Sequence, residues 1–271
     1  MFKALKENLS QTWIIAETNL KINLRYKLQY ITGILVPIIT LILPLIVLNK
    51  FFEYNAQFGP WNKNNFMIFA FMAYQINLLR GVAIGFHQNF LQEKYWKTIA
   101  LYLIAPFKTY TLLFGMVFSR LILISFPFMF FFVLCYIMYP ISFYNILFVF
   151  LLFFLLLLLF SGMGIILGVF AISKEGLLAI SNFFLTWVFW FSCLTLPFQI
   201  FPPIFQAIIN LNPFYHIFYF IRVAWIHNDA LFTIQSNFFQ FIIFLIPSLI
   251  LPIIGVYIFN KMYHKYGIVG Y

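Results

Sequence analysis

The stretch FYNILFVFLLFFLLLLLFSGMGIILGVFA, residues 143–171, contains no charged side chain. About 20 apolar residues suffice for a membrane-spanning helix, because a helix rises about 1.5 Å per residue and a hydrocarbon core is about 30 Å thick. The stretch exceeds that length, so a helix formed by it would tilt, bend or project. It predicts a transmembrane helix and indicates that the whole chain is a membrane protein.

The composition indicates the same class of protein. Of the 271 residues, 64% are hydrophobic and 8% are charged, whereas soluble domains carry about 25% charged residues. Phenylalanine alone supplies 40 residues. We therefore predict an all-α polytopic membrane protein. Cys135 and Cys193 both lie inside apolar runs, which is typical of small core residues.

Six apolar segments are long enough to cross a membrane. An N-terminal region, 1–28, precedes them, and 29–271 is predicted to be one six-span transmembrane domain. Apolar residues recur in the N-terminal region at three- and four-residue steps, which predicts an amphipathic helix lying on the membrane interface. The predicted spans are 31–52, 66–87, 109–138, 143–171, 177–198 and 236–260.

Basic residues at the ends of these segments predict the orientation. Eleven basic residues would lie on one side of the membrane and three on the other, so the positive-inside rule places both termini in the cytoplasm. We therefore predict a multi-pass protein of the plasma membrane. Such positions favour contact with anionic lipids rather than with nucleic acid, despite a net charge of +10. The three residues on the outer side are Lys50, Lys63 and Arg222.

The cytoplasmic stretch EKYWKTIALYLIAP, Glu93–Pro106, is too apolar for a free loop and too charged for a span. Its pattern predicts a short amphipathic helix that ends at Pro106. Two interpretations remain open: the helix lies on the lipid surface, or it is a docking helix for a soluble subunit. The candidate docking residues are Glu93, Lys94, Tyr95, Trp96, Lys97, Thr98, Leu101 and Pro106.

The segment 197–235 would lie outside the cell and is also too apolar for an exposed loop. It contains NPFYHIFYFIR, Asn212–Arg222, in which Asn-Pro interrupts a helix. We predict two short re-entrant helices that meet at Asn212-Pro213, with Arg222 held at the outer interface. This predicted outer gate contains Pro197, Pro202, Pro203, Asn212, Pro213 and Arg222.

These motifs resemble the permeases of type-2 ATP-binding-cassette (ABC-2) exporters, over nearly the whole chain. That family carries a coupling segment after its second span, and Thr98, Leu103 and Pro106 match it, whereas Lys97 and Ala100 replace its Gly and Glu. After its fifth span the family often shows two spaced prolines and then Asn-Pro followed by Arg. Pro197 and Pro202, and then Asn212, Pro213 and Arg222, match that spacing.

The resemblance implies the transmembrane subunit of an exporter, not an enzyme. The chain contains no GxxxxGK[ST] phosphate loop, and the family's ATP and Mg are bound by a separate ABC ATP-binding subunit. The implied partners are two copies of that subunit, a second copy of this chain, and membrane lipids. The expected substrate is a drug-like compound or a lipid; the alternatives are a polysaccharide or lipid-linked glycan exporter, and a stand-alone channel or carrier.

Arg80 and Arg120 lie within predicted spans, where no Asp or Glu neutralises them. An arginine at the centre of a span costs about 2.5–3.5 kcal/mol on insertion scales. One interpretation is that both side chains snorkel to lipid phosphates. The other is that one or both face the dimer axis and receive an anionic group of the substrate. The scattered histidines show no metal-ligand spacing.

Overall fold

A computed structural model describes residues 2–54, 57–95, 109–173 and 176–266. Within those ranges the chain is almost entirely helical. The described strands are β1 (Gln57–Phe58) and β2 (Trp61–Asn62), which form a small antiparallel hairpin, and a short 3-10 helix lies at Phe198–Ile200. The helices are α1 (Phe2–Arg25), α2 (Lys27–Tyr54), α3 (Phe66–Tyr95), α4 (Thr109–Met138), α5 (Phe143–Ser173), α6 (Gly176–Trp190), α7 (Pro203–Leu211), α8 (Pro213–His227), α9 (Ala230–Ser236) and α10 (Phe238–Tyr266).

Four stretches of helix are long and apolar enough to cross a membrane. They are Phe66–Phe86, Thr111–Met138, Phe143–Phe170 and Phe238–Lys261, and they coincide with four of the predicted spans. The chain is therefore an all-α membrane-embedded protein. The first predicted span, 31–52, lies inside helix α2.

The prediction of one continuous helical span over 177–198 is wrong. The described helix α6 ends at Trp190 and contains 15 residues, which extend about 22 Å. Turns and bends follow it, and Cys193 adopts a left-handed conformation with φ of 52°. Apolar residues continue after Trp190, at Phe191, Leu194 and Leu196, so an apolar pattern alone does not reveal where the helix ends.

Helix α5 is the central helix and packs against both α3 and α10. Glycines permit the close approach. A Cβ added at Gly164 would lie 2.8 Å from the Ala83 Cα, and one added at Gly162 would lie 2.4 Å from the Pro252 backbone nitrogen. Both neighbours are backbone atoms, so the three helices are in contact through their main chains.

Helix α1 packs against α4, in addition to any membrane contact. Ile15 and Ala16 are buried, and a Cβ added at Gly115 of α4 would lie 2.7 Å from the Ile15 Cβ. Leu9 and Trp13, on the apolar face that the sequence predicts to contact lipid, remain half or more exposed. The predicted helix is confirmed, and its lipid contact stays a prediction.

Several connections gather at one end of the helices. The Ser142 backbone N–H, in the α4–α5 turn, donates to Asn228 Oδ1 at 2.6 Å, directly after α8. The hairpin residue Trp61 packs in one cluster with Leu196 and Ile200, which follow α6. The positive-inside rule predicts that these connections, which follow the first, third and fifth apolar segments, all lie on the outer side of the membrane.

Candidate functional site

The predicted docking helix lies mostly outside the described residues. Its first three residues, Glu93–Tyr95, form the last turn of α3, which runs without interruption from Phe66. The prediction that a separate helix begins at Glu93 is therefore wrong. The remaining docking candidates, from Trp96 to Pro106, fall outside the described ranges.

The predicted pair of short helices is present as α7 and α8, joined at Asn212. Asn212 is the N-cap of α8: its Oδ1 accepts a hydrogen bond from the Phe214 N–H at 3.0 Å, while its Nδ2 donates to the Val188 carbonyl of α6 at 2.6 Å. Pro213 follows at the first helical position, where a missing N–H costs nothing. Pro202 and Pro203 begin α7 in the same way. The Asn212 side chain thus starts α8 and ties it to α6, while its backbone N–H donates to the Ile209 carbonyl at 2.9 Å at the end of α7.

Arg222 lies inside the protein, so the prediction that it is held at the outer interface is wrong. Helix α8 continues past it to His227, and the side chain is 2% exposed. Its Nη1 donates to the Cys193 carbonyl at 2.9 Å, and its Nη2 donates to the Leu194 carbonyl. The Arg222 guanidinium carbon lies 3.7 Å from the centre of the Phe69 ring. Helix α8 is buried around most of its circumference. The aromatic residues of Asn212–Arg222 did not predict this, because aromatic side chains are equally common at lipid-facing positions.

The surroundings of Arg222 explain how the segment after α6 is held. The two accepting carbonyls belong to the irregular residues at Cys193 and Leu194, and the left-handed φ of Cys193 turns them toward α8. Arginine is effectively always protonated in proteins, so the buried guanidinium keeps its charge.

Arg80, on α3, borders a cavity of about 220 Å³ between α3, α5 and α6. Its guanidinium carbon lies 4.5 Å from the centre of the Phe189 ring, an arrangement favourable for a cation–π contact. Phe160 and Thr186 also line this cavity.

Arg120, on α4, borders a different cavity of about 300 Å³, which it shares with the α1–α2 junction and α3. Its stem crosses α3 at Gly85, where an added Cβ would lie 2.7 Å from the Arg120 Nε. Nη2 donates to Asn89 Oδ1 at 2.9 Å, but the buried Nε has no hydrogen-bond partner. No carboxylate among the described side chains forms an ion pair with either arginine.

The two intramembrane arginines therefore do not converge on one site, since no residue lines both cavities. Sequence reasoning identified both arginines but missed their neighbours. Two features of the sequence could have indicated these neighbours. Gly81 and Gly85 lie four residues apart on one face of α3, and Pro127 lies inside α4. Because Pro127 has no N–H, the Leu123 carbonyl is free to accept the Tyr30 hydroxyl at 3.0 Å. That bond fixes α2 against the Arg120 cavity.

No protein-family model matches this sequence, and no curated protein sequence is significantly similar to it.

Proposed function

We propose that the chain is the transmembrane permease subunit of an ABC-2 type exporter. It spans the membrane six times with both termini in the cytoplasm, pairs with a second copy of itself, and carries two ATP-binding subunits that bind ATP and Mg. Its substrate is an amphiphile, a drug-like compound or a lipid, which moves out of the cytoplasm.

The observation that carries this proposal is the α7–α8 pair. It follows the fifth apolar segment, turns at Asn212-Pro213 and is anchored by Arg222 to the residues after α6. Irregular backbone at membrane depth is tolerated only where it is buried in protein or lines a cavity, and the carbonyls of Cys193 and Leu194 are satisfied in that way. An internal helix pair of this kind suits a closure at the outer end of a pathway.

The two arginine cavities support an amphiphilic substrate. Each cavity has one fixed positive charge and apolar or aromatic walls. An amphiphile with a negatively charged group and an apolar chain is complementary to both features. In the working transporter Arg80 and Arg120 contact the substrate, and 93–106 transmits the motion of the ATP-binding subunit.

Co-purification tests the proposal. Tagged full-length protein, isolated from its own cells in mild detergent, is expected to bring down an ATP-binding subunit in equal number. The double variant Lys94→Glu/Lys97→Glu is expected to lose that subunit and ATP-dependent transport of fluorescent lipid in vesicles. The matched control Lys6→Glu/Lys261→Glu makes the same change of charge at exposed residues of α1 and α10 and is expected to retain both.

Two outcomes would contradict the exporter proposal. One is a native complex that contains no nucleotide-binding protein. The other is a docking variant that assembles and transports as the control does; either result would favour a stand-alone channel or carrier.

A further inference from the structure

We infer that the Arg120 cavity is a binding site for the phosphate group of an anionic amphiphile. This inference deepens the proposed function by naming the chemistry of the ligand, but it concerns binding alone and needs no ATP-binding subunit. It starts from an unused donor. The Arg120 Nε–H is buried and has no partner, although a buried donor of this kind costs free energy unless it is satisfied.

The position of this donor is fixed by its neighbours. Asn89 accepts from Nη2, so the guanidinium is held by one bond and is not neutralised by it. Gly85 provides the space in which the arginine stem crosses α3. A guanidinium held in place is suited to oxyanions because its donors lie in one rigid plane; here Nη2 is engaged by Asn89 and Nε is unpartnered.

Amide side chains line the same cavity. Asn77 of α3 and Asn23 of α1 both border it, and one Asn23 Nδ2 bond is already made to the Asn19 carbonyl. Neutral amide donors favour a group with several acceptor oxygens. A phosphate offers more of them than a carboxylate does.

The rest of the wall is apolar and has open space. Ile34, Leu123 and Ile124 line it. A Cβ added at Gly33 or at Gly81, both on the wall, would meet no atom within 4 Å. The cavity therefore has room for an apolar chain beside the charged group, and about 300 Å³ accommodates a headgroup with the first part of a chain.

Charge near the cavity favours an anionic ligand over a zwitterionic one. Lys21, Arg25 and Lys27 lie at the α1–α2 junction, and all three are exposed. Only Lys21 is paired among the described side chains, with Glu17 at 2.7 Å. Positive charges near a membrane surface attract anionic lipids.

Purified full-length protein in neutral detergent tests this inference. Thermal unfolding is followed while short-chain phosphatidylglycerol is titrated, in parallel with phosphatidylcholine of the same chain length and with inorganic phosphate. Phosphatidylglycerol is expected to raise the Tm in a saturable manner, and phosphatidylcholine to raise it much less. Stabilisation by inorganic phosphate alone, with competition against phosphatidylglycerol, would support the phosphate site but assign it to the free ion.

Two variants separate binding from folding. Arg120→Gln is expected to weaken the apparent affinity for phosphatidylglycerol by roughly ten- to a hundredfold, the range for losing a charged hydrogen bond. Gly81→Leu keeps the charge and fills the open wall, so it is expected to weaken the affinity as well. Lys63→Gln loses one positive charge at an exposed residue that does not line the cavity, and is expected to retain the site.

The inference is overturned if the Arg120→Gln and Gly81→Leu proteins respond to phosphatidylglycerol as the wild type does. It is also overturned if phosphatidylcholine stabilises the wild type equally. Should Arg120→Gln not fold, Gly81→Leu decides the matter. None of these results depends on ATP hydrolysis, so the exporter proposal and this one fail separately.

Discussion

Arg222 is a buried cation whose cost is offset by specific contacts. Two backbone carbonyls accept from its two terminal nitrogens, and the Phe69 ring lies against its face. No carboxylate within the described part of the chain pairs with it. Removal of one partner from a buried charged network is strongly destabilising, because it leaves the other groups without solvent or partner.

We predict that Arg222→Met lowers the free energy of unfolding by about 3 kcal/mol, since the carbonyls of Cys193 and Leu194 lose their donors. Arg222→Lys is expected to recover only part of this loss, because one ammonium group cannot reproduce the planar fork. The measurement is the thermal unfolding of purified protein in detergent.

Arg25→Met is the matched control, because Arg25 is exposed at the end of α1. Its Tm is expected to stay close to that of the wild type. Equal melting of the Arg222→Met and Arg25→Met proteins would show that the two carbonyl bonds contribute nothing measurable.

At the scale of the elements, the crossing of α5 and α10 depends on Gly162. An added Cβ there would lie 2.4 Å from the Pro252 nitrogen and 2.5 Å from the Leu251 carbonyl carbon. Neither atom can move without moving helix α10, in contrast to a side chain that changes its rotamer.

Gly162→Ala is therefore expected to destabilise the protein by about 1–3 kcal/mol, the usual cost of overpacking. Gly81→Ala is the matched control, since its Cβ would meet no atom within 4 Å and alanine is the better helix former by about 1 kcal/mol. Parallel thermal unfolding of the two variants compares them. A Gly162→Ala protein that melts as Gly81→Ala does would contradict the close crossing.

The elements also show how far the sequence predicts the fold. Uninterrupted apolar runs predicted four helices that are long enough to span, because every backbone group must be satisfied within such a segment. The end of α6 at Trp190 was missed, since it depends on a left-handed Cys193 and on the distant Arg222, whose carbonyl contacts are 28 and 29 residues away. Local patterns contain no information about such a partner.

For the candidate sites, the sequence predicted which residues matter but not which residues they contact. Charge in an apolar segment is conspicuous, so Arg80 and Arg120 were found. Their separation into two cavities follows from which face of α3 and α4 each occupies, and that depends on packing at Gly85 and Phe189. Asn212 was found because Asn-Pro is a strong local signal, although its bond to Val188 was not foreseeable.

At the scale of the whole molecule, exposed side chains allow a test of the proposed orientation in the membrane. Tyr144 and Leu231 are 83% and 72% exposed, and Tyr26 is 57% exposed. Single cysteines at Tyr144 and Leu231 are expected to react with an impermeant maleimide in intact cells. A cysteine at Tyr26 is expected to react only after the membrane is permeabilised.

The native thiols do not interfere with this measurement. Cys135 and Cys193 are both buried and free, so an impermeant maleimide does not reach them and the wild type is expected to remain unlabelled. Labelling of Tyr26→Cys in intact cells would reverse the proposed orientation. Opposite reactivity of Tyr144→Cys and Leu231→Cys would contradict the arrangement in which Ser142 bonds Asn228.

The contact between Ile15 and Gly115 also has a consequence for biosynthesis. Helix α1 leaves the ribosome before α4, and its partner Gly115 is made about a hundred residues after Ile15, roughly five to twenty seconds later at ordinary rates of translation. During that interval Ile15 and Ala16 have no α4 to cover them. The nascent chain must therefore shelter this face on lipid or on the insertion machinery, and the N-terminal helix reaches its final place only after α4 has entered the membrane.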